Sequence, residues 1–135
     1  SRIAAPRSSR CRLRQGFELL RFWRATINTC NGLCFAIRSE QAVREELVAL
    51  VLALPLAWLI GVSNMRRIEL VAAVVLVLIV ELLNTAIEKL ADRLTTDRDP
   101  QIGQVKDMGS AAVGVALGMA GLFWIFAIAE RMGAV

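Results

Sequence analysis

Three long stretches of this chain are free, or nearly free, of charged side chains, and they dictate most of what it can fold into. Leu47–Met65 and Met108–Ala129 contain no Asp, Glu, Lys or Arg. Leu70–Val80 is uncharged between Glu69 and Glu81, and the apolar pattern runs on through Glu81 to Ile87. A helix crossing roughly 30 Å of hydrocarbon needs about 20 residues. The first and third stretches meet that length, and the second meets it when it continues through Glu81. A buried helix of a soluble bundle would carry a polar outer stripe, and Leu47–Ile60 and Val113–Ala129 have almost none. The pattern predicts an all-α, polytopic membrane protein with three transmembrane helices.

Composition narrows the chemistry. The chain has 135 residues, 56% of them hydrophobic, the size of one domain and too small to bury so large an apolar fraction in water. It has no histidine, which excludes a Ser-His-Asp triad, a Cys-His pair and imidazole-ligated zinc. Cys11, Cys30 and Cys34 are odd in number and lack C-x-x-C spacing, so they form no disulfide framework. Carboxylates, amides and backbone are left to do any chemistry.

The basic residues set an orientation. Nine arginines, from Arg2 to Arg44, precede the first stretch. Arg66 and Arg67 lie between the first and second, Lys89, Arg93, Arg98 and Lys106 between the second and third, and Arg131 after the third. Weighting cytoplasmic loops by Lys and Arg places the N-terminus and second loop in the cytoplasm. The first loop, near Gly61–Arg67, and the C-terminus then face outward.

Ahead of the spans, Ser1–Arg14 is basic and poor in large apolar residues, and is expected to be disordered. Gln15–Arg38 mixes Phe17, Leu20, Phe22, Trp23, Ile27, Leu33 and Phe35 with arginines and reads as an amphipathic segment at the membrane interface. Asn28, Asn31 and Gly32 suggest a break near Gly32. Residues 39–135 form the transmembrane domain, with Thr95–Val105 as a short loop. Pro55 is expected to bend the first span. Gly109, Gly114, Gly118 and Gly121 invite close helix contact in the third, within one chain or between chains.

The most informative stretch is Glu81-Leu-Leu-Asn84-Thr-Ala-Ile-Glu88-Lys-Leu-Ala-Asp92-Arg93. Its steps of three, four and four residues put Glu81, Asn84, Glu88 and Asp92 on one helix face. Three acids on one stripe at the end of a membrane helix need something positive: Lys or Arg, protons, or a divalent cation. Oxygen ligands without imidazole or thiolate suit Mg²⁺. A structural ion-pair network is the alternative use of the stripe. Glu40, Arg44, Glu45 and Glu46 precede span one, and Lys106 and Asp107 precede span three. The topology gathers both groups at the Glu88 end of span two. Such a site admits a charged, metal-bound substrate from water and a lipid from the bilayer, as phosphoryl transfer to a lipid hydroxyl requires.

The stripe, followed by Lys106-Asp107-Met-Gly-Ser110-Ala-Ala, resembles the small integral-membrane diacylglycerol kinases of bacteria, a family that includes undecaprenol kinases. The resemblance spans roughly Arg21 to Ala129. It implies ATP-dependent phosphorylation of diacylglycerol to phosphatidic acid with Mg²⁺, by a homotrimeric bundle in the bacterial inner membrane whose active sites are shared between chains. It implies Glu88 as a metal ligand. Glu40, opening a segment similar to the family's E-x-A-x-R-x-E through Ala42, Arg44 and Glu46, would share the metal. Asn84 would contact the terminal phosphate, and Glu81 would be the candidate base near the lipid hydroxyl. Lys106 and Asp107 would lie beside the nucleotide, with Arg21 and Arg24 as basic residues of the surface helix. Arg44, Glu46, Asp92 and Ser110 are expected to support the site. Gln41, Val43 and Glu45 depart from the family's usual Ala, Phe and Gln, and Asn31 and Cys34 stand where relatives often carry basic residues.

Two other classes fit less. A small transporter would place polar groups near the midplane, whereas these collect at one end. A scaffold subunit would explain the glycines and basic tail but not Glu81, Asn84 and Glu88 together. Nucleic acid is not an expected partner, because anionic lipid lies nearer the short basic tail.

Overall fold

The computed structural model describes residues 7–94 and 99–134 and is helical almost throughout: α1 Arg7–Ser39, α2 Gln41–Ile60, α3 Asn64–Leu94 and α4 Pro100–Arg131. The chain divides into two compact units, residues 1–38 and 39–135.

The first unit is α1, which passes through Gly32 without a break. A single glycine costs a helix only about 1 kcal/mol relative to alanine, and no proline accompanies it. The hydroxyls of Thr26 and Thr29 turn back onto the carbonyls of Phe22 and Ala25, at 3.0 and 2.9 Å, and stay within the helix. The helix also includes Arg7–Arg14, where composition predicts disorder; Ser1–Pro6 lie outside the described residues. Phe22, Trp23 and Phe35 are exposed on its surface.

In the second unit α3 is the central helix. It packs along both α2 and α4, which barely touch each other. Its contacts are built from small residues that let helix axes approach closely. Ala73 and Val77 meet Ala116 and Ala120, and Leu70 meets Ala57 and Ala127. Larger side chains such as Leu52, Trp58, Leu83, Leu122 and Ile125 are exposed. Both α3 and α4 are long and apolar enough to cross a membrane, yet only 33% and 17% of their apolar windows are buried. A core helix of a water-soluble protein would be mostly covered; exposed apolar surface on this scale suits lipid. The architecture is that of a polytopic helical membrane protein.

The first apolar stretch does not form one continuous helix. It is cut at Gly61–Ser63, so α2 keeps only Leu47–Ile60 of it, behind Arg44, Glu45 and Glu46. Pro55 is accommodated within α2. Gly61 closes the helix by donating to Ala57 O at 2.9 Å, and a Cβ there would meet Arg67 Cγ at 2.6 Å and Ala57 O at 2.8 Å. Only glycine fits so close an approach. Ser63 then caps α3, its hydroxyl accepting from Arg66 N–H at 3.2 Å. The first connection is therefore three residues rather than Gly61–Arg67.

The second connection is also shorter than Thr95–Val105. Asp99 accepts from the Gln101 and Ile102 amides at 2.8 and 3.4 Å, and Pro100 occupies the first turn. Aspartate followed by proline is a helix start, because proline's missing N–H falls where helices leave amides unpaired. Residues 95–98 lie outside the described residues.

Candidate functional site

The last four turns of α3 carry the polar stripe on the face turned into the bundle. Glu81, Asn84 and Thr85 are buried, Glu88 is half-buried and Asp92 is exposed. The stripe thus grades from interior to solvent along the helix. Asn84 Nδ2 donates to Glu88 Oε1 at 3.0 Å. That bond fixes the amide's orientation, since the carboxylate can only accept. Asn84 Oδ1 is consequently driven inward, where it is buried with no hydrogen-bond partner among the described residues. It lies against Gly109 of α4, where any Cβ would overlap it. Gly109 is buried at this crossing and makes the space that Asn84 occupies.

The N-terminal ends of α2 and α4 bring further charge. Glu40 sits at the N-cap position of α2, with its carboxylate 2.6 Å from Lys89 Nζ on α3. The hydrogen bond from Lys89 holds the Glu40 carboxyl below the ordinary carboxylate range. Lys106 Nζ reaches Asp92 Oδ1 at 2.6 Å and also feels the charge of Glu88. Glu40, Glu46 and Glu88 all interact electrostatically with Glu81. The structure therefore brings together Glu40, Glu46, Glu81, Asn84, Glu88, Asp92 and Lys106. Asp107 and Ser110 are exposed on α4 close in sequence to Lys106. Arg44 is exposed on α2, and Glu45 accepts from Gln41 Nε2 at 2.7 Å, one helical turn away. Arg21 and Arg24 are exposed on α1, in the first unit.

Among the described residues no group of three or more His, Cys, Asp or Glu side chains is arranged to hold a metal ion. The donors present are all hard oxygens: two carboxylates with a neutral amide between helices. Mg²⁺ binds in this way, through one or two carboxylates together with substrate phosphates and water. The orphaned Asn84 Oδ1 beside Glu88 marks a place where the protein alone leaves an acceptor without a positive partner. The donor set fits the ion.

Two site residues escaped the sequence pattern. Lys89 counts there only toward topology; its pairing with Glu40 depends on how α2 meets α3. Gly109 reads as one more small residue for helix contact, and its specific service to Asn84 appears only in three dimensions.

Comparison with known proteins bears directly on this arrangement. The sequence profile of the prokaryotic diacylglycerol kinase family matches residues 28–128. A diacylglycerol kinase of Pseudomonas aeruginosa is 42% identical over 106 residues, covering 78% of this chain and 86% of the relative. One from Escherichia coli is 40% identical over 102 residues, covering 76% and 84%. One from Haemophilus influenzae is 36% identical over 100 residues, covering 74% and 85%.

Proposed function

Since the chain belongs to the prokaryotic diacylglycerol kinase family, we infer that it is an ATP-dependent diacylglycerol kinase whose reaction takes place at the acidic end of α3. It transfers the terminal phosphate of ATP to the hydroxyl of diacylglycerol, giving phosphatidic acid. The observation that carries the site assignment is the buried, unpartnered Asn84 Oδ1, fixed beside Glu88 and seated against Gly109.

The family resemblance and the positions of these residues support the following roles. Glu88 and Glu40 hold Mg²⁺, which supplies charge neutralisation for the phosphates. Asn84 keeps Glu88 oriented through its amide N–H and contacts the terminal phosphate. Glu81, deepest of the acids, accepts the hydroxyl proton as the lipid oxygen attacks. Lys106 and Asp107 lie beside the nucleotide, and Arg21 and Arg24 are the basic residues that the family resemblance assigns to the surface helix. Asp92 anchors Lys106, and Arg44, Glu46 and Ser110 shape the surroundings.

In the bacterial inner membrane, α2, α3 and α4 are the three spans, with the N-terminus and the Glu88 end of α3 cytoplasmic and the C-terminus outward. Gln15–Arg38 lies at the interface. The apolar part of α2 is short for a roughly 30 Å core, which local thinning or the following connection accommodates. Three such chains form the trimer. Gly114, Gly118 and Gly121 support self-association, because among the described residues nothing outside their own helical turns comes within 4 Å of where their Cβ atoms would stand.

The test is side-by-side turnover with two lipid alcohols. The purified chain in mixed micelles with Mg²⁺ and labelled ATP should label diacylglycerol faster than undecaprenol. Faster labelling of undecaprenol would reassign the acceptor, and no labelling of either would overturn the kinase reading.

A further inference from the structure

Glu40 has two calls on its carboxylate. The proposed function makes it a metal ligand, whereas the structure pairs it with Lys89 at 2.6 Å. Glu40 occupies the N-cap position of α2 without making a side-chain capping bond, and Ser39 and Arg44 stabilise its charge less than Lys89 does. Its carboxylate can therefore turn without uncapping the helix. Lys89 follows Glu88 directly, so its side chain leaves α3 about 100° around the axis from that of Glu88. A carboxylate on Lys89 is thus drawn off the Glu88 face.

The surroundings explain why a lysine belongs there. Glu40, Glu46 and Glu88 each act on the Glu81 carboxylate, and Asp92 continues the stripe. In a chain without a cation the two lysines supply positive charge, Lys89 to Glu40 and Lys106 to Asp92. The Lys89–Glu40 pair is partly solvated, with side-chain exposures of 41% and 29%. A pair so exposed is cheap to break. A doubly charged ion arriving with phosphates can displace the ammonium, which suits a latch better than a strut.

We propose that Lys89 is a positioning residue that holds Glu40 away from the metal until a phosphate-bound divalent cation displaces it. This rests on the reading of Glu40 as a ligand. The latch sets the cation concentration at which the site assembles and favours occupancy when nucleotide and metal arrive together.

Mn²⁺ serves as the probe, its free concentration read by electron paramagnetic resonance with a non-hydrolysable ATP analogue present. The full chain in detergent is compared with Lys89→Ala, Lys89→Arg, Glu40→Gln and the double variant, with circular dichroism confirming helix content. Removing the competing ammonium should tighten Mn²⁺ binding by about two- to fivefold, the range that one exposed ion pair allows. Lys89→Arg should restore wild-type affinity. Glu40→Gln should weaken binding, and in that background Lys89→Ala should change nothing. Unchanged or weaker binding by Lys89→Ala overturns the latch, as does equal tightening in the Glu40→Gln background, which marks a general field effect. If Glu40→Gln still weakens binding in either case, the ligand reading stands. Wild-type affinity in Glu40→Gln overturns both.

Discussion

The two ends of α3 handle charge in opposite ways. At the Asn64 end, the charges that meet are matched within the chain. Arg66 bonds Glu69 and Glu130, each at 2.7 Å, and lies 5.1 Å from the Phe126 ring centroid. Arg67 donates to Gly61 O and Asn64 Oδ1 and stacks 4.2 Å over the Trp58 ring. These contacts tie α3 to α2 and α4. At the other end, Glu40, Glu46 and Glu88 crowd Glu81, Lys89 and Lys106 meet Glu40 and Asp92, and Asn84 Oδ1 has no hydrogen-bond partner among the described residues. A matched cluster is complete as folded. Acids gathered at one end of a membrane helix need lysines, protons or a cation to meet them, and this supports the proposed site for a cation and phosphates.

This contrast breaks most visibly at Glu81. Glu81→Gln should lower kcat on the order of a hundredfold or more, as removal of a general base does. The KM for nucleotide should change little, because proton acceptance belongs to the chemical step. Steady-state kinetics over an ATP series checks this, and a pure KM effect would move Glu81 from chemistry to binding.

Gly109→Ala comes next. Its methyl would overlap Asn84 Oδ1, so either α4 shifts or the amide swings away from Glu88. Overpacking of this kind costs about 1–3 kcal/mol, and turnover should fall with stability. Gly103→Ala is the control on the same helix, since among the described residues nothing outside its own helical turn lies within 4 Å of its added methyl. It should leave both properties at or slightly above wild type.

At the opposite end, Arg66→Ala leaves Glu69 and Glu130 without their shared partner. Thermal unfolding in detergent should begin at lower temperature, while turnover per folded molecule stays at the wild-type level. A loss of turnover without a loss of stability would mean that the two ends are coupled.

The smallest effect concerns pH. The Glu40 carboxyl is held below its ordinary value of 4.5, so its ion pair contributes fully above that value and is lost as the pH falls through the lowered one. The stability difference between wild type and Lys89→Ala should therefore be small and flat from about pH 6 to 8, then close under acid conditions.

Much of this contrast is legible before folding. Apolar runs reveal helices because the membrane demands length, and the spacing of Glu81, Asn84, Glu88 and Asp92 reveals one face because helix geometry is fixed. The boundaries were harder to read. Gly32 looks like a break, yet one glycine is a weak penalty. Asp99-Pro100 looks like a loop, yet the same dipeptide starts a helix. The run Leu47–Met65 looks continuous, yet Gly61 closes α2 against Arg67 because two backbone segments pass within contact distance there. Lys89 and Gly109 act only through a partner helix, and pairing across helices leaves no period in a sequence. Likewise, Arg66 looks like a stray outward charge until Glu130 arrives from the far end of α4.

The central claim is that catalysis belongs to the acidic end of α3. Label transfer from ATP to diacylglycerol, measured in parallel for wild type, Glu88→Gln and Glu130→Gln and corrected for folded protein, tests it most directly. Wild type and Glu130→Gln should form Mg²⁺-dependent phosphatidic acid at similar rates, while Glu88→Gln, still helical, should form almost none. Near-normal transfer by Glu88→Gln at ordinary Mg²⁺, or its abolition by Glu130→Gln instead, would contradict the claim.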